Sequence, residues 1–277
     1  MDHKTMAPTD FEQLVTVVRY EIFSHLRRRR LWAILAIVFI IFFLILLVPP
    51  AYGVDYPPEF GMYSQVYLGF TGILVLLCAT FFGSDALVSE FQHKTGFVIF
   101  PNPVKRSTIA LGKFSASMIA SILVICIYYG LIALFVGGIY KAIDAEFAYS
   151  FLLALLYLSS AMGVAYLISS VMKGTMGSTV LTFFLFLLIL PMIEGILSFV
   201  GVKPWFFITF AGGTISYIMN VPYPQDGSFE MTVGGGQTMT IYEFYPDVWV
   251  SIAVMLGYLI VCLTLAILRF NRREMVG

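Results

Sequence analysis

Charge is scarce in this chain. Only 12% of its 277 residues are charged, against 60% hydrophobic and 16% aromatic, a balance too apolar for a domain that must cover itself with water-facing side chains. The 16 basic and 16 acidic residues cancel, so net charge gives no sign of nucleic acid as a partner. Cysteine is equally sparse. Cys78, Cys126 and Cys262 all fall inside apolar runs, where each reads as a small hydrophobe and not as part of a disulfide framework or a metal site. The three histidines, His3, His25 and His93, lie outside those runs, which argues against a metal centre or protease built inside a bilayer. No His-Glu-x-x-His occurs, so a membrane-embedded hydrolase lacks its constellation. Nor is there a Gly-x-x-x-x-Gly-Lys-Ser/Thr: Gly112-Lys113 has neither the upstream glycine nor the following hydroxyl that a phosphate loop needs. The chain is expected to bind no cofactor of its own and to hydrolyse no ATP.

What is present is apolar length. A helix needs about 20 mainly apolar residues to cross the hydrocarbon core, and six segments qualify: roughly 31–48, 66–83, 114–138, 148–172, 177–200 and 248–269. The first begins behind four consecutive arginines with no small-residue cleavage site after it, so it reads as a retained span rather than a signal peptide. The expected fold is an all-α integral membrane protein, residues 1–277 forming one transmembrane domain.

Orientation follows from the basic residues, which are retained on the cytoplasmic side. Fourteen of the 16 lie before span one, between spans two and three, in the turn at Lys173, or after span six. Lys141 and Lys203 alone fall on the other side. Both termini are therefore expected in the cytoplasm. Tyr52, Tyr56, Tyr63, Trp205, Tyr245 and Trp249 fall near the proposed outer boundary, as an aromatic belt does.

Two segments outside the spans carry pattern. In 9–30 the apolar residues Phe11, Leu14, Val15, Val18, Ile22 and Leu26 recur at helical spacing, Thr9 or Asp10 can cap the start, and arginines cluster at the end. This predicts an amphipathic helix lying in the cytoplasmic interface; the alternative is a soluble helix packed on a partner. In 191–246, Pro191 and Glu194 sit late in span five, and KPWFFITFAGGTISYIM is too short and glycine-rich to cross again. It predicts a broken or re-entrant hairpin at the outer face, with Pro191, Glu194, Gly212 and Gly213 as candidate lining of a path or vestibule. The turn formers and β-leaning runs that follow predict an exposed external loop.

Residues 84–113 form the only sizeable cytoplasmic loop between spans. Asp85 and Glu90 are expected to continue the second helix into solvent, Gly96 to end it, and Val98, Ile99 and Phe100 to form an apolar patch before Pro101 and Pro103. Ser107 is expected to cap span three. Such a patch fits a docking surface for a cytoplasmic protein, or equally a loop resting on lipid headgroups.

The succession Glu90, Lys94-Thr95-Gly96, Pro101, Pro103, Arg106 and Leu111-Gly112-Lys113, opening an apolar helix, resembles the loop between spans two and three of type-2 ATP-binding-cassette permeases. Its Lys-Thr-Gly stands where that family more often shows Gly-Thr. The resemblance extends to the interfacial helix, the six spans and the broken hairpin before the last. It implies that 84–113 is a coupling helix seated in a groove of a separate ATPase, with Glu90, Thr95, Gly96, Pro101 and Arg106 shaping the joint and Val98, Ile99 and Phe100 as its apolar knob. It further implies an exporter in a prokaryotic plasma membrane, built from two permease chains as a homodimer and two ATPase subunits that bind ATP and Mg.

Small residues Ala161, Ala165 and Ser169 along span four suit close helix contact, within one subunit or across a dimer. The rival reading is a secondary transporter or channel, for which Glu194 is the best candidate proton carrier; the same residue also reads as a boundary group at the outer interface. No inverted repeat of broken helices supports the rival. Spans nearly free of charge offer an ionic substrate no cage, so an amphipathic or apolar substrate such as a lipid, a hydrophobic drug or a lipid-linked glycan is expected.

Overall fold

The computed structural model describes residues 9–92, 104–233 and 237–273. Within them six helical stretches are long and apolar enough to cross a membrane: Arg29–Ala51, Phe60–Gln92, Arg106–Tyr140, Ala145–Val171, Thr175–Phe199 and Val248–Arg272. Each covers one of the segments marked by hydropathy. Several run past the apolar window because polar turns at the ends keep their helical hydrogen bonds.

The chain starts with α1 (Asp10–Arg27), where Thr9 accepts from the Glu12 N–H while the Glu12 carboxylate accepts from the Thr9 N–H, a reciprocal cap of two otherwise orphan donors. One face of α1 packs on the protein, and Phe11, Val15 and Leu26 stay exposed. Helix α2 (Arg29–Ala51) follows after a single extended residue, Arg28.

The second span is broken. It comprises α3 (Phe60–Leu68), α4 (Thr71–Cys78), a π-helical turn over Ala79–Gly83, a further turn, and α5 (Val88–Gln92). The break lies against the long helix α7 (Ala145–Val171), whose Ala161, Ala165 and Ser169 are fully buried within this one chain. A Cβ on Gly83 would stand 2.5 Å from the Met162 sulfur and 3.0 Å from the Ala165 Cβ, so glycine is what lets the two spans approach there. Loosened backbone survives at membrane depth only if its polar groups find partners. Here they do: the Ser169 hydroxyl accepts from the Leu87 and Val88 N–H groups at 3.0 and 3.1 Å, and the Ser178 hydroxyl donates to the Ser84 carbonyl.

The third span, α6 (Arg106–Tyr140), begins one residue before Ser107, with Lys105 in the cap position and no side-chain cap bond. Ser107 therefore sits in the first turn and does not cap the helix. The fifth span consists of α8 (Thr175–Phe184), a second π-helical turn over Leu185–Ile189, and α9 (Leu190–Phe199). Two short helices, α10 (Ile208–Gly212) and α11 (Thr214–Tyr217), then turn back and bury Ile208, Ala211 and Ile215. The following segment adds an antiparallel hairpin to the otherwise helical chain, β1 (Gly227–Val233) paired with β2 (Gln237–Glu243) from Gly227↔Glu243 to Val233↔Gln237. Asp247 caps α12 (Val248–Arg272), accepting from the Trp249 and Val250 N–H groups.

The core is aromatic and hydroxylated. Tyr63 does not join an outer belt: it is buried, donating to the Ile45 carbonyl at 3.1 Å, while the Tyr67 hydroxyl donates to that of Tyr63 and the Tyr128 hydroxyl to the Tyr67 carbonyl. Tyr52, Trp205 and Trp249 are exposed as a belt requires.

Candidate functional site

One end of the bundle collects almost all of the buried charge. Lys113, in the second turn of α6, puts its ammonium 2.5 Å from the Glu21 carboxylate of α1 and 2.7 Å from that of Glu90 in α5. All three side chains are nearly closed to solvent. Arg30, at the start of α2, pairs with Asp85 in the broken part of span two, with Arg28 at 3.9 Å as a second cation. Asp85 and Glu90 thus do not extend into water. They turn inward because cations from α2 and α6 meet them, the condition under which a carboxylate tolerates burial.

Neighbouring residues explain why α1 can reach this cluster. A Cβ on Gly112 would lie 2.7 Å from a Val17 methyl carbon, so Gly112 opens the groove in which α1 lies and Lys113 closes it. In the Leu111-Gly112-Lys113 triplet the glycine gives proximity and the lysine gives the pairing. One turn on, the Ser117 hydroxyl donates to the Phe82 carbonyl at 2.8 Å, with the His25 ring 3.4 Å away. His25 is buried, and desolvation followed by the Arg28 charge lowers its pKa to about 4 against the opposing pull of Glu21 and Asp85. Between α1, α5 and α6 lies a cleft of about 580 Å³, lined by Tyr20, Glu21, Arg28, Glu90 and Lys113 among others.

The segment 93–103 itself, with Thr95, Gly96, Val98, Ile99, Phe100 and Pro101, lies outside the described residues. Its two anchors are described. On the near side the Gln92 amide oxygen accepts from the Thr175 N–H at 2.6 Å, tying α5 to α8. On the far side Lys105 pairs with Asp10 at 2.5 Å, and Arg106 donates to the Arg273 carbonyl at 2.7 Å and the Asn271 carbonyl at 3.4 Å. A guanidinium on these terminal carbonyls satisfies orphan acceptors of α12 and complements its dipole. Arg273 in turn donates to the Ser170 carbonyl of α7 at 3.1 Å and lies over the Phe91 ring at 4.2 Å. Glu90 and Arg106, both marked in the sequence, belong to one collar of contacts that holds the residues on either side of 93–103. Asp85, Glu21, Lys113, Ser169 and Arg273 complete it and were not singled out as site residues. Carboxylates placed beside the basic residues of an otherwise apolar chain were the one available signal.

At the opposite end Glu194 of α9 accepts from the Thr209 hydroxyl and, at 3.0 Å, from the Phe210 N–H. It pins the start of α10 to the fifth span. Pro191 is exposed in the first turn of α9. Gly212 is pressed against Tyr157 of α7, whose ring atoms lie 2.9–3.1 Å from where a Cβ would stand, and Gly213 faces the Phe210 carbonyl and Tyr217. The two glycines therefore serve close packing of the turned-back helices. Among the described residues no group of histidine, cysteine, aspartate and glutamate is arranged to hold a metal ion.

None of the curated proteins compared with the chain matches it. The family model described as ABC-2 family transporter protein matches residues 15–275, nearly the whole chain, from the first turns of α1 through the collar to the residues after α12. The chain therefore belongs to the ABC-2 family of transporter proteins, and it is a membrane permease subunit of an ATP-binding-cassette transporter, whose partner is an ABC ATPase subunit.

Proposed function

We propose that the protein is the permease of an ATP-driven exporter in a prokaryotic plasma membrane, with its basic end and both termini in the cytoplasm. Residues 84–113 act as the coupling element, and the Val98–Phe100 patch seats in the ATPase subunit. The observation that carries this reading is the clamping of both flanks of 93–103. Gln92, Glu90, Lys105 and Arg106 bond to α8, α6, α1 and α12 respectively. A force applied to that segment would reach four helices through short polar contacts rather than dissipate in a slack loop.

Two permease chains, as a homodimer, and two ATPase subunits complete the transporter. ATP and Mg bind to the ATPase pair, whose closure draws the two coupling elements together and shifts the spans between two arrangements. The fifth span supports dimerisation: Phe184, Leu188, Met192 and Ile196 are exposed along it, more than packing within one chain uses. The vestibule forms around Pro191, Glu194, Gly212 and Gly213 at the outer end, with α10 and α11 as a re-entrant hairpin. Buried formal charge among the described residues lies at the basic end, which favours an amphipathic or apolar cargo over an ionic one. Glu194 is committed to two hydrogen bonds that hold the hairpin, which disfavours its use as a proton relay.

The test is Phe100→Asp. The variant inserts in the membrane at the normal level but no longer retains the ATPase subunit in a pull-down, and vanadate-sensitive turnover of the reconstituted complex falls with it. Intact retention and intact turnover would refute the coupling role.

A further inference from the structure

A second cleft at the basic end, of about 500 Å³, is lined on its polar side by Lys173, Arg269, Arg272 and Arg273, and on its apolar side by Leu265 and Leu268 among others. No carboxylate among the described residues contributes to the lining. Among the described residues Lys173, Arg269 and Arg272 take part in no ion pair. Like charges are therefore gathered with no counter-ion among the described residues. The crowding is felt by Arg273, whose pKa is lowered by burial and then by the Arg269 charge. Three other cations of this end differ in this respect: Arg30, Lys105 and Lys113 each have a carboxylate within 2.7 Å.

The apolar side continues down the helix. Val261, Leu265 and Leu268 are each about half exposed and follow one another at four and three residues, so they form one stripe along the outer face of α12. The same periodicity carries the stripe on to Arg269, four residues after Leu265, and Arg272, four after Leu268. A molecule that fits has an anionic head at the arginines and an apolar tail against the leucines. Soluble anions match only the first half and an acidic protein surface has no use for the second. Val171, exposed at the end of α7, widens the apolar floor on the far wall.

We propose that this cleft is a binding site for an anionic phospholipid, its phosphate held by Arg269, Arg272 and Lys173 and an acyl chain lying along Val261, Leu265 and Leu268. Basic pockets between spans recognise such headgroups by charge-assisted hydrogen bonds at the edge of a low-dielectric medium. A bound lipid would bridge the ends of α7 and α12 beside Arg273, which links Ser170, Phe91 and Arg106. The lipid would so stiffen the collar that surrounds the coupling segment. The inference rests on the chain spanning a bilayer and not on its orientation or on its coupling to an ATPase.

The full-length permease, purified in a non-ionic detergent, is titrated with dioleoyl phosphatidylglycerol, with dioleoyl phosphatidylcholine, or with inorganic phosphate. Bound lipid is counted by native mass spectrometry and stability is read from thermal melting. Phosphatidylglycerol is expected to be retained and to raise the melting temperature, and the other two are not. Arg269→Gln with Arg272→Gln should weaken that binding at least about tenfold, whereas Arg269→Lys with Arg272→Lys keeps most of it. Arg27→Gln with Arg29→Gln removes as much charge from exposed positions of the same end and should leave binding unchanged. The proposal is overturned if both glutamine pairs lose lipid equally, because the attraction is then diffuse. It is also overturned if phosphate alone reproduces the thermal shift, or if the Arg269/Arg272 glutamine pair keeps the lipid but loses the ATPase subunit, which would make the cleft a protein contact.

Discussion

Two lysines of this protein form ion pairs of the same length in different surroundings, and that contrast sets a quantitative test. Lys113 lies 2.5 Å from Glu21 and 2.7 Å from Glu90, with side chains only 9, 13 and 8% exposed. Lys105 lies 2.5 Å from Asp10, with side chains 68 and 60% exposed. The bare attraction at equal distance is equal, so burial alone separates them. Lys113→Met keeps the apolar stem and removes the charge, leaving two carboxylates facing each other out of water. Breaking a buried pair in this way costs about 3–5 kcal/mol. Lys105→Met forfeits a screened surface pair that contributes about 0–1 kcal/mol. For a chain of this size about 1 kcal/mol corresponds to roughly 2 °C in melting temperature, so the expected falls are about 6–10 °C for Lys113→Met and at most about 2 °C for Lys105→Met. Thermal melts in detergent, read by a thiol-reactive dye, measure both. Adding Glu21→Gln and Glu90→Gln to Lys113→Met removes the stranded charges and should recover much of the loss. Equal falls for the two lysines, or a triple variant no better than the single one, would refute the assignment of the triad as a buried structural joint.

Further outcomes follow from the same structure. His25 has a folded-state pKa near 4 against about 6.5 unfolded, so the unfolded chain takes a proton that the folded chain refuses. Its contribution is complete above pH 6.5 and is lost as pH falls toward 4, by up to about 3 kcal/mol; the difference in melting temperature between wild type and His25→Gln should change with pH in that window and be flat above it. Gly112→Ala places a methyl group against Val17 and should destabilise by about 1–3 kcal/mol, and Val17→Ala in the same chain should restore part of it, a coupling read from a double-mutant cycle. Glu194→Gln retains a carbonyl oxygen for Thr209 and Phe210, so ATP-driven transport should persist in reconstituted vesicles, whereas Glu194→Ala should impair it; a Gln variant as inactive as the Ala variant would favour proton relay.

The architecture was legible because a lipid-spanning helix announces itself by composition over a length. The six apolar runs and the capped amphipathic helix at Thr9 needed no partner to be recognised. The site was legible only in part, since most of its bonds connect residues more than 50 positions apart. Asp85 follows an apolar run, and nothing local distinguishes a carboxylate leaving the membrane from one folded back onto Arg30, 55 residues earlier. Glu21 and Lys113 are 92 apart. The break in span two was hidden for another reason: its loosened backbone is satisfied by Ser169 and Ser178, small hydroxyl residues that also read as ordinary helix-packing positions. Ser107 failed as a cap because the helix begins one residue earlier.

The placement of the ionic contacts bears on how the collar can work. An apolar joint between α1, α5 and α6 would hold them together but would resist sliding only weakly, because dispersion contacts are non-directional and neighbouring packings are close in energy. Lys113 shared by two carboxylates, and Arg106 on the last carbonyls of α12, instead fix direction and register, and a slip of about one turn would strand a charge in a medium that cannot solvate it. Such a joint has few arrangements, each separated from the next by a real cost; under the coupling role proposed above, that would convert a push on 93–103 into a change of state rather than a gradual deformation. The same contacts at mid-membrane would carry that cost permanently. At the basic end water can reach the charges once the joint is fully open, so the penalty falls on the partial slip and not on the open arrangement.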